Sequence, residues 1–258
     1  MKFMTFASGS GGNCALVWNG DTRILIDAGI SARRITAALA SVGMTPRDVD
    51  AVLVTHGHSD HTAGLPVFLG KTAASVWASG GTASELAGRC PPERLEVFPS
   101  GAELRFGSMS AVSFSTPHDA AGSTGFVITG ENGARLAFVT DLGRVTQEVR
   151  RAVVGADAAI LESNHDLTML RTGPYPYPLK RRIEGGFGHL SNDDAGAFAL
   201  ELAQAGARYI VLAHLSETNN TPETAYRTVL AALGGTAAGV RLSVAPAACA
   251  GEVFDTEG

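Results

Sequence analysis

The chain of 258 residues has only three cysteines, Cys14, Cys90 and Cys249, with no Cys-x-x-Cys pair among them. An odd, scattered set excludes a disulfide framework and predicts a cytoplasmic protein. A basic excess is also missing: 20 Lys+Arg against 25 Asp+Glu leave a net charge of −5. Broad electrostatic attraction to nucleic acid is thereby excluded. A local phosphate site is not, because bound cations add charge that the count omits. No stretch reaches the about 18 uncharged apolar residues of a membrane span. The opening MKFMTFASGSGG has too short an apolar run for a signal peptide. Charged residues are scarce at 17% but hydrophobic ones make up 45%, so disorder through charge is excluded. The 31 glycines follow no triplet period, which rules out a collagen-like chain.

What is present reads as strands interleaved with helices. Phe3–Ala7, Ala15–Trp18 and Arg23–Asp27 are short apolar runs, and Asn19-Gly20 between the last two predicts a hairpin. The loop Ser8–Asn13, with its hydroxyls and amide, is either a solvent turn or a cover over a ligand. Ser31 caps a helix to about Val42. Asp50–Thr55 is a buried strand, and a helix starts at or just after His61. Leu95–Phe98, Glu103–Phe106, Ser110–Ser115, Thr124–Thr129 and Arg135–Thr140 come at hairpin spacing and predict a mixed sheet. Beyond them lie a helix at Val145–Val153, a strand at Ala158–Leu161 and a helical turn at Asp166–Leu170. The prolines 174, 176 and 178 predict an extended segment with no helix before Leu179. Ser191 caps a long helix, Arg208–Ala213 is a strand, and Thr221-Pro222 opens another helix. Val240–Val244 is a last strand, and the tail frays. The fold class expected is α/β (α+β), with two sheets face to face and helices outside. The whole chain, 1–258, reads as a single domain.

Seven histidines are distributed unevenly. His56, His58 and His61 fall within six positions together with Asp60, immediately after the strand ending Leu53-Val54-Thr55. His118, Asp141 and His214 also follow strand ends, where ligands gather in layered α/β folds. Imidazoles and carboxylates in this mixture suit zinc, with manganese or iron as alternatives. His56 and His58, one residue apart, can point into one site, while Asp60 and His61 lie far enough round the turn to face a second ion.

The ordered set His56-x-His58-x-Asp60-His61, then His118, Asp141 and His214, resembles the metallo-β-lactamase superfamily, whose fold is a four-layer αββα sandwich. The resemblance implies that His56, His58 and His118 hold one metal, that Asp60, His61 and His214 hold the other, and that Asp141 bridges them. Asp27, in Leu25-Ile26-Asp27-Ala28-Gly29, matches a position that supports the metal loop from behind. Paired divalent cations lower the pKa of water and neutralise charge on phosphoryl or acyl oxygens, which is the logic of a hydrolase. Where many relatives carry a bulkier residue between the first two histidines, this chain has Gly57, a change expected to be tolerated because that side chain points away from the metals.

Three segments narrow the substrate. Gly188-His189-Leu190-Ser191 resembles a segment of phosphodiesterase members in which the histidine assists phosphate transfer rather than binding metal, so His189 is expected to act there with Asp60 in catalysis. Glu162, in Leu161-Glu162-Ser163-Asn164-His165-Asp166, matches an acidic residue that orients this helper. His165 either contacts substrate or packs beneath the loop. Tyr175, Tyr177, Lys180, Arg181 and Arg182 offer aromatic and basic groups for a phosphate backbone and a base, or else form a solvated face. With Ser8, Ser10, Asn13, Ser191, Asn219 and Asn220 as further substrate contacts, these segments resemble the YycJ/WalJ (VicX-like) family, similar to 5′-exonucleases on double-stranded DNA linked to mismatch repair. Only 72 residues separate Asp141 from His214, so the inserted β-CASP domain of larger nucleases is absent. The expected function is a dinuclear, metal-dependent phosphodiesterase on DNA, with homodimerisation open. Alternatives are a phosphodiesterase for a small cyclic or nucleotide-like ester, a thioesterase or lactonase, and a non-catalytic metal-binding regulator.

Overall fold

The computed structural model describes residues 1–257. The first sheet contains β1 (Lys2–Ala7), β2 (Cys14–Asn19), β3 (Thr22–Ile26), β4 (Ala51–Leu53), β5 (Ser75–Ser79) and β6 (Leu95–Phe98). The second contains β7 (Glu103–Phe106), β8 (Met109–Ser115), β9 (Thr124–Gly130), β10 (Arg135–Val139), β11 (Ala158–Glu162), β12 (Tyr209–Ala213) and β13 (Arg241–Val244). A short β14 (Phe254–Asp255) returns to the first sheet beside β1. Both sheets are mixed. Hairpins β1–β2–β3 lead into parallel β3–β4–β5–β6, and antiparallel β7–β8–β9–β10 lead into parallel β10–β11–β12–β13.

Alternation along each strand creates the layers. On β3, Ile24 and Ile26 enter the core between the sheets, while Leu25 faces outward against helices. On β11, Ala158 and Ile160 face the inter-sheet core, and Ala159 and Leu161 face the opposite helices. Strands buried on both faces read as near-continuous apolar runs, as Ile24-Leu25-Ile26 and Ala158-Ala159-Ile160-Leu161 do. The first sheet is covered by α1 (Ala32–Ser41), α2 (Ser59–Thr62), α3 (Leu65–Leu69) and α4 (Gly80–Glu85). The second carries α5 (Gln147–Val153), α6 (Leu167–Thr172), α7 (Tyr177–Ile183), α8 (Asn192–Gln204) and α9 (Pro222–Leu233). The result is the expected αββα sandwich.

Three local expectations need correction. A helix, α7, begins at Tyr177, ahead of the expected limit at Leu179, with Pro178 in its first turn. Proline is tolerated there because the N–H it lacks has no partner inside the helix. The tail pairs instead of fraying: Phe254 is opposite Phe3 in β14–β1, and their rings stack at 4.9 Å. The helix expected near His61 starts earlier, at Ser59, and ends after one turn.

The connections that shape the site are unusually close. After β3 the chain is sewn to two other loops, with Ala28 N–H donating to His61 O at 2.9 Å, Gly29 N–H to Asn13 O at 2.8 Å and Asn13 N–H to Asp60 O at 2.7 Å. A Cβ on Gly29 would stand 1.6 Å from Asp60 O, a backbone atom that cannot swing aside. Gly29→Ala should therefore cost at least the upper end of the roughly 1–3 kcal/mol typical of overpacking. Urea unfolding checks this, and an unchanged midpoint would contradict the tight-packing account.

Candidate metal centre

Three site residues, each just after a strand of the parallel portions, adopt left-handed backbone: Asp27 (φ 60°), Asp141 (φ 57°) and His214 (φ 56°), the only non-glycine residues to do so among those described. Such a conformation is uncommon outside glycine and persists where surrounding bonds enforce it. Here they do. Asp27 N–H donates to Leu53 O at 2.8 Å, and His214 N–H donates to Ser8 Oγ at 2.8 Å. The effect is to turn each side chain across the strand ends, toward the seam between the sheets.

The imidazoles are oriented from behind through Nδ1. His61 Nδ1 donates to Asp27 Oδ2 at 2.7 Å, and His118 Nδ1 donates to Gly188 O at 3.1 Å. His56 Nδ1 lies 3.1 Å from Thr55 Oγ1, which in turn reaches Asp27 Oδ2 at 2.9 Å. Glu162 Oε1 receives both His189 Nδ1, at 2.8 Å, and His214 Nδ1, at 3.0 Å. Glu162 Oε2 accepts the backbone N–H of Leu142 at 2.9 Å and of Leu190 at 3.3 Å. Carbonyl and carboxylate partners accept only, so the proton sits on Nδ1 and Nε2 is left for the site.

The electrostatics follow from burial and from these carboxylates. Burial depresses His56 to about 2, aided by the charge of His61, so its ring is neutral with a free lone pair. Burial opposes charge on His61 as well, but Asp141 and Asp27 outweigh it and raise the pKa to about 10. His214 is raised for the same reason, by Asp141, Asp60 and Glu162 against burial. Asp60 is held below the usual carboxylate range despite burial, through hydrogen bonds from His214 and His61. Glu162, also opposed by burial, is drawn down to about 2 by His189 and His214.

The donor atoms gather in overlapping groups, each within 4.8 Å: His56, His58 and His118; Asp60, His61 and His214; His56, His61 and Asp141; and Asp141, Glu162, His189 and His214. Asp141 belongs to two of them. His56 Nε2, His118 Nε2 and Asp141 Oδ2 are buried without a hydrogen-bond partner. Such orphaned atoms are costly unless something binds them. Imidazole nitrogens and carboxylate oxygens at this spacing fit borderline divalent cations. The chain thus has the capacity to hold one or two.

A cavity of about 300 Å³ opens over these groups, lined among others by Ser10, Asp119, Tyr175, Arg182, His189 and Ser216. Several expected contacts lie elsewhere. Lys180 Nζ donates to Arg171 O and Gly173 O, each at 2.8 Å, and so closes the α6–α7 turn. Tyr177 and Arg181 are exposed and absent from the lining. Asn13 and Ser8 hold ligand-bearing loops, Ser191 caps α8 through Asp194 N–H, and Asn220 is bonded to Ser163 O and Asn192 Oδ1. Asn219 is buried with its side-chain amide unpartnered, as is the ring of His165. Gly57 answers to a constraint absent from the sequence reading: a Cβ there would meet Glu85 Cβ at 2.6 Å, so Glu85, rather than open space, faces that position. Thr55, Asp119, Asn164 and Ser216 were not anticipated. A threonine closing a strand before a histidine cluster was the one available signal, for Thr55.

Without a cation, His61 and His214 are protonated at neutral pH, and each must lose a proton before its nitrogen can bind one. Affinity for Zn²⁺ should therefore keep rising with pH from below neutrality towards about pH 10, where His61 gives up its extra proton, with net proton release on uptake. Calorimetry in buffers of different ionisation enthalpy measures the release, and pH-independent uptake would refute this assignment.

Comparison with known proteins agrees with the geometry. The family model described as the beta-lactamase superfamily domain matches residues 22–215. The chain is 37% identical over 232 residues to the exodeoxyribonuclease YycJ of Bacillus anthracis, covering 89% of this chain and 88% of that protein. It is 34% identical over 234 residues to the exodeoxyribonuclease WalJ of Streptococcus pneumoniae, covering 89% and 87%. The crystal structure of the metallo-beta-lactamase fold protein YhfI from Bacillus subtilis superposes with a TM-score of 0.76 at 17% identity, over 98% of this chain and 99% of that one. With its buried His/Asp donor clusters, the chain belongs to the metallo-β-lactamase-fold superfamily, as a metal-dependent hydrolase of the YycJ/WalJ type.

Proposed function

We propose that this protein is a dinuclear phosphodiesterase that removes nucleotides from the 5′ end of double-stranded DNA. The observation that carries the reading is the His189–Glu162 pair. His189 is partly exposed in the cavity and belongs to none of the three three-residue donor groups, and in the four-residue group that includes it its Nδ1 is taken at 2.8 Å by the buried carboxylate of Glu162. A spare oriented imidazole beside the donor clusters suits a reaction in which a leaving oxygen must be protonated. The exodeoxyribonuclease names of the relatives, similar over most of the chain, point to DNA as the ester.

In this reading His56, His58 and His118 would hold one cation and Asp60, His61 and His214 the other, with the carboxylate of Asp141 lying near both sets. Zn²⁺ is the first choice, with Mn²⁺ or Fe²⁺ as alternatives. Bound there, the cations supply Lewis acidity that activates water and neutralises the phosphoryl oxygens. The chain supplies the rest. Asp60, kept ionised and lining the cavity, would accept a hydrogen bond from the attacking water and so orient it. His189 presents Nε2 to the leaving oxygen while Glu162 steadies its other nitrogen. Arg182, held by Asp119, offers the cavity wall a guanidinium for a phosphate. Lys180, Arg181 and Tyr177 belong to the surrounding surface, and the whole chain acts as one domain without a β-CASP insertion. No helix among the described residues is long and apolar enough to cross a membrane, and the cytoplasm remains the proposed compartment. Homodimerisation carries no part of the mechanism.

A 5′-phosphorylated, labelled duplex with metal-replete protein should be shortened stepwise from the labelled end. Asp60→Ala should abolish the reaction, and His189→Ala should lower kcat by about 10²–10⁴-fold with little change in KM. An intact duplex alongside cleavage of bis(p-nitrophenyl) phosphate would favour the small-ester alternative. A His189→Ala variant as fast as the parent would remove the role given to that histidine.

A further inference from the structure

Phe187 lies two residues before His189 and is 59% exposed. Leaving a phenylalanine in water forgoes roughly 1.5–3 kcal/mol of burial. A loose loop is not the reason. Gly188 N–H donates to Gly185 O at 2.9 Å, and His189 N–H donates to Ile183 O at 3.1 Å. On the other side the segment lies backbone to backbone against Gly143, where a Cβ would come within 2.4 Å of Gly186 C and 2.5 Å of Phe187 N. The ring is thus presented to solvent from a backbone clamped between the end of α7 and the turn that follows Asp141. The same short segment carries Gly188 and His189, both in the cavity wall.

Arg144, from that turn, sets its guanidinium carbon 5.6 Å from the centre of the Phe187 ring. Neighbouring arginines are each held by a carboxylate, Arg150 by Glu201 and Arg182 by Asp119. Arg144 has no carboxylate partner among the described residues, and its cation–π contact is with Phe187. A flat ring backed by an unpaired guanidinium, beside a site for phosphodiesters, has the two parts of a nucleotide-binding surface: a stacking face and a positive charge.

We infer that Phe187 and Arg144 form a stacking platform for a nucleobase next to the scissile phosphate. The base lies on the free face of the ring, and the guanidinium faces the neighbouring phosphate. This specificity-determining role rests on the phosphodiesterase reading above and assigns it a substrate with a base at that position. A second protein chain fits the patch less well. Of the large exposed hydrophobic side chains, Phe187 alone lies within 141–146 or 184–190. One ring among glycines and arginines is small against the about 800 Å² per partner of a standard protein interface, but it matches one base.

The test uses metal-loaded protein and a duplex with phosphorothioate linkages, carrying 2-aminopurine at each of the first three positions from the 5′ end. One position should show fluorescence quenched on binding to the parent and to Phe187→Trp, but not to Phe187→Ala. Affinity for the duplex should fall about 5–150-fold in Phe187→Ala, the range of one lost base stack. An abasic site at that position should weaken the parent by the same factor and Phe187→Ala little. Equal abasic penalties in the parent and Phe187→Ala would overturn the platform while leaving the nuclease reading in place. So would a parent dimer that Phe187→Ala dissociates, since the ring would then face a second copy of the chain. A parent that neither binds nor cleaves the duplex would remove the platform and the nuclease reading together.

Discussion

A single buried carboxylate, Asp27, holds the metal loop to the first sheet. It receives Thr55 N–H at 2.8 Å, the Thr55 hydroxyl and His61 Nδ1, so two separate stretches of chain converge on one side chain. Its oxygens accept only, and they therefore dictate which nitrogen of His61 carries the proton and which faces the site. The left-handed backbone at Asp27 is what turns the carboxylate under the loop, and Gly29, two residues on, permits the close approach of Asp60 O. Position, tautomer and loop path are then one arrangement, because none can change without losing a bond made by another.

Glu162 does the corresponding work in the second sheet. Its four donors, His189, His214, Leu142 N–H and Leu190 N–H, come from three segments that meet at the end of β11. A fully buried carboxylate is expensive unless its lone pairs are filled, and here they are. The two sheets thus contribute matching supports, and the donor clusters lie in the seam between them. Asp141, whose Oδ1 is 3.5 Å from His214 Nδ1 and whose Oδ2 is 3.4 Å from His61 Nε2, spans that seam.

What could be read from the sequence was whatever local spacing encodes. His56, His58, Asp60 and His61 fall on one turn after a strand, so their proximity needs no tertiary information. His118, Asp141 and His214 were legible as strand-end residues, since parallel strands deliver their ends to a common edge. The pairing of Glu162 with His189 was suggested by resemblance alone, and the structure sets His189 Nδ1 2.8 Å from Glu162 Oε1. The layered fold followed from runs apolar on both faces, such as Ile24-Leu25-Ile26 within Arg23–Asp27. What stayed hidden depends on contacts distant in sequence. Nothing local separates Lys180, which closes a turn, from Arg182, two residues on, which lines the cavity. Asn13 reads as a loop amide until its contacts with Asp60 and His61 are seen. Pro178 reads as a helix breaker until the helix is found to begin just before it.

The charge balance lets the donor clusters lie close together before any cation is bound. Asp27, Asp60, Asp141 and Glu162 converge at the ends of the two sheets, and a cluster of carboxylates would repel itself if nothing positive lay among them. In the metal-free chain that positive charge is the extra proton on His61 and on His214, whose neighbours raise their pKa against the pull of burial. These residues also supply nitrogens to the donor clusters. Cation uptake would therefore replace the single charge of a proton by a divalent one at the same atoms, so the carboxylates face positive charge in either state. The supports behind the imidazoles, Asp27 and Glu162, keep their bonds through the exchange because they grip the opposite ring nitrogen. A donor set prepared in this way loses little conformational freedom when a cation arrives, which is the condition for a rigid centre on a scaffold otherwise poor in charge.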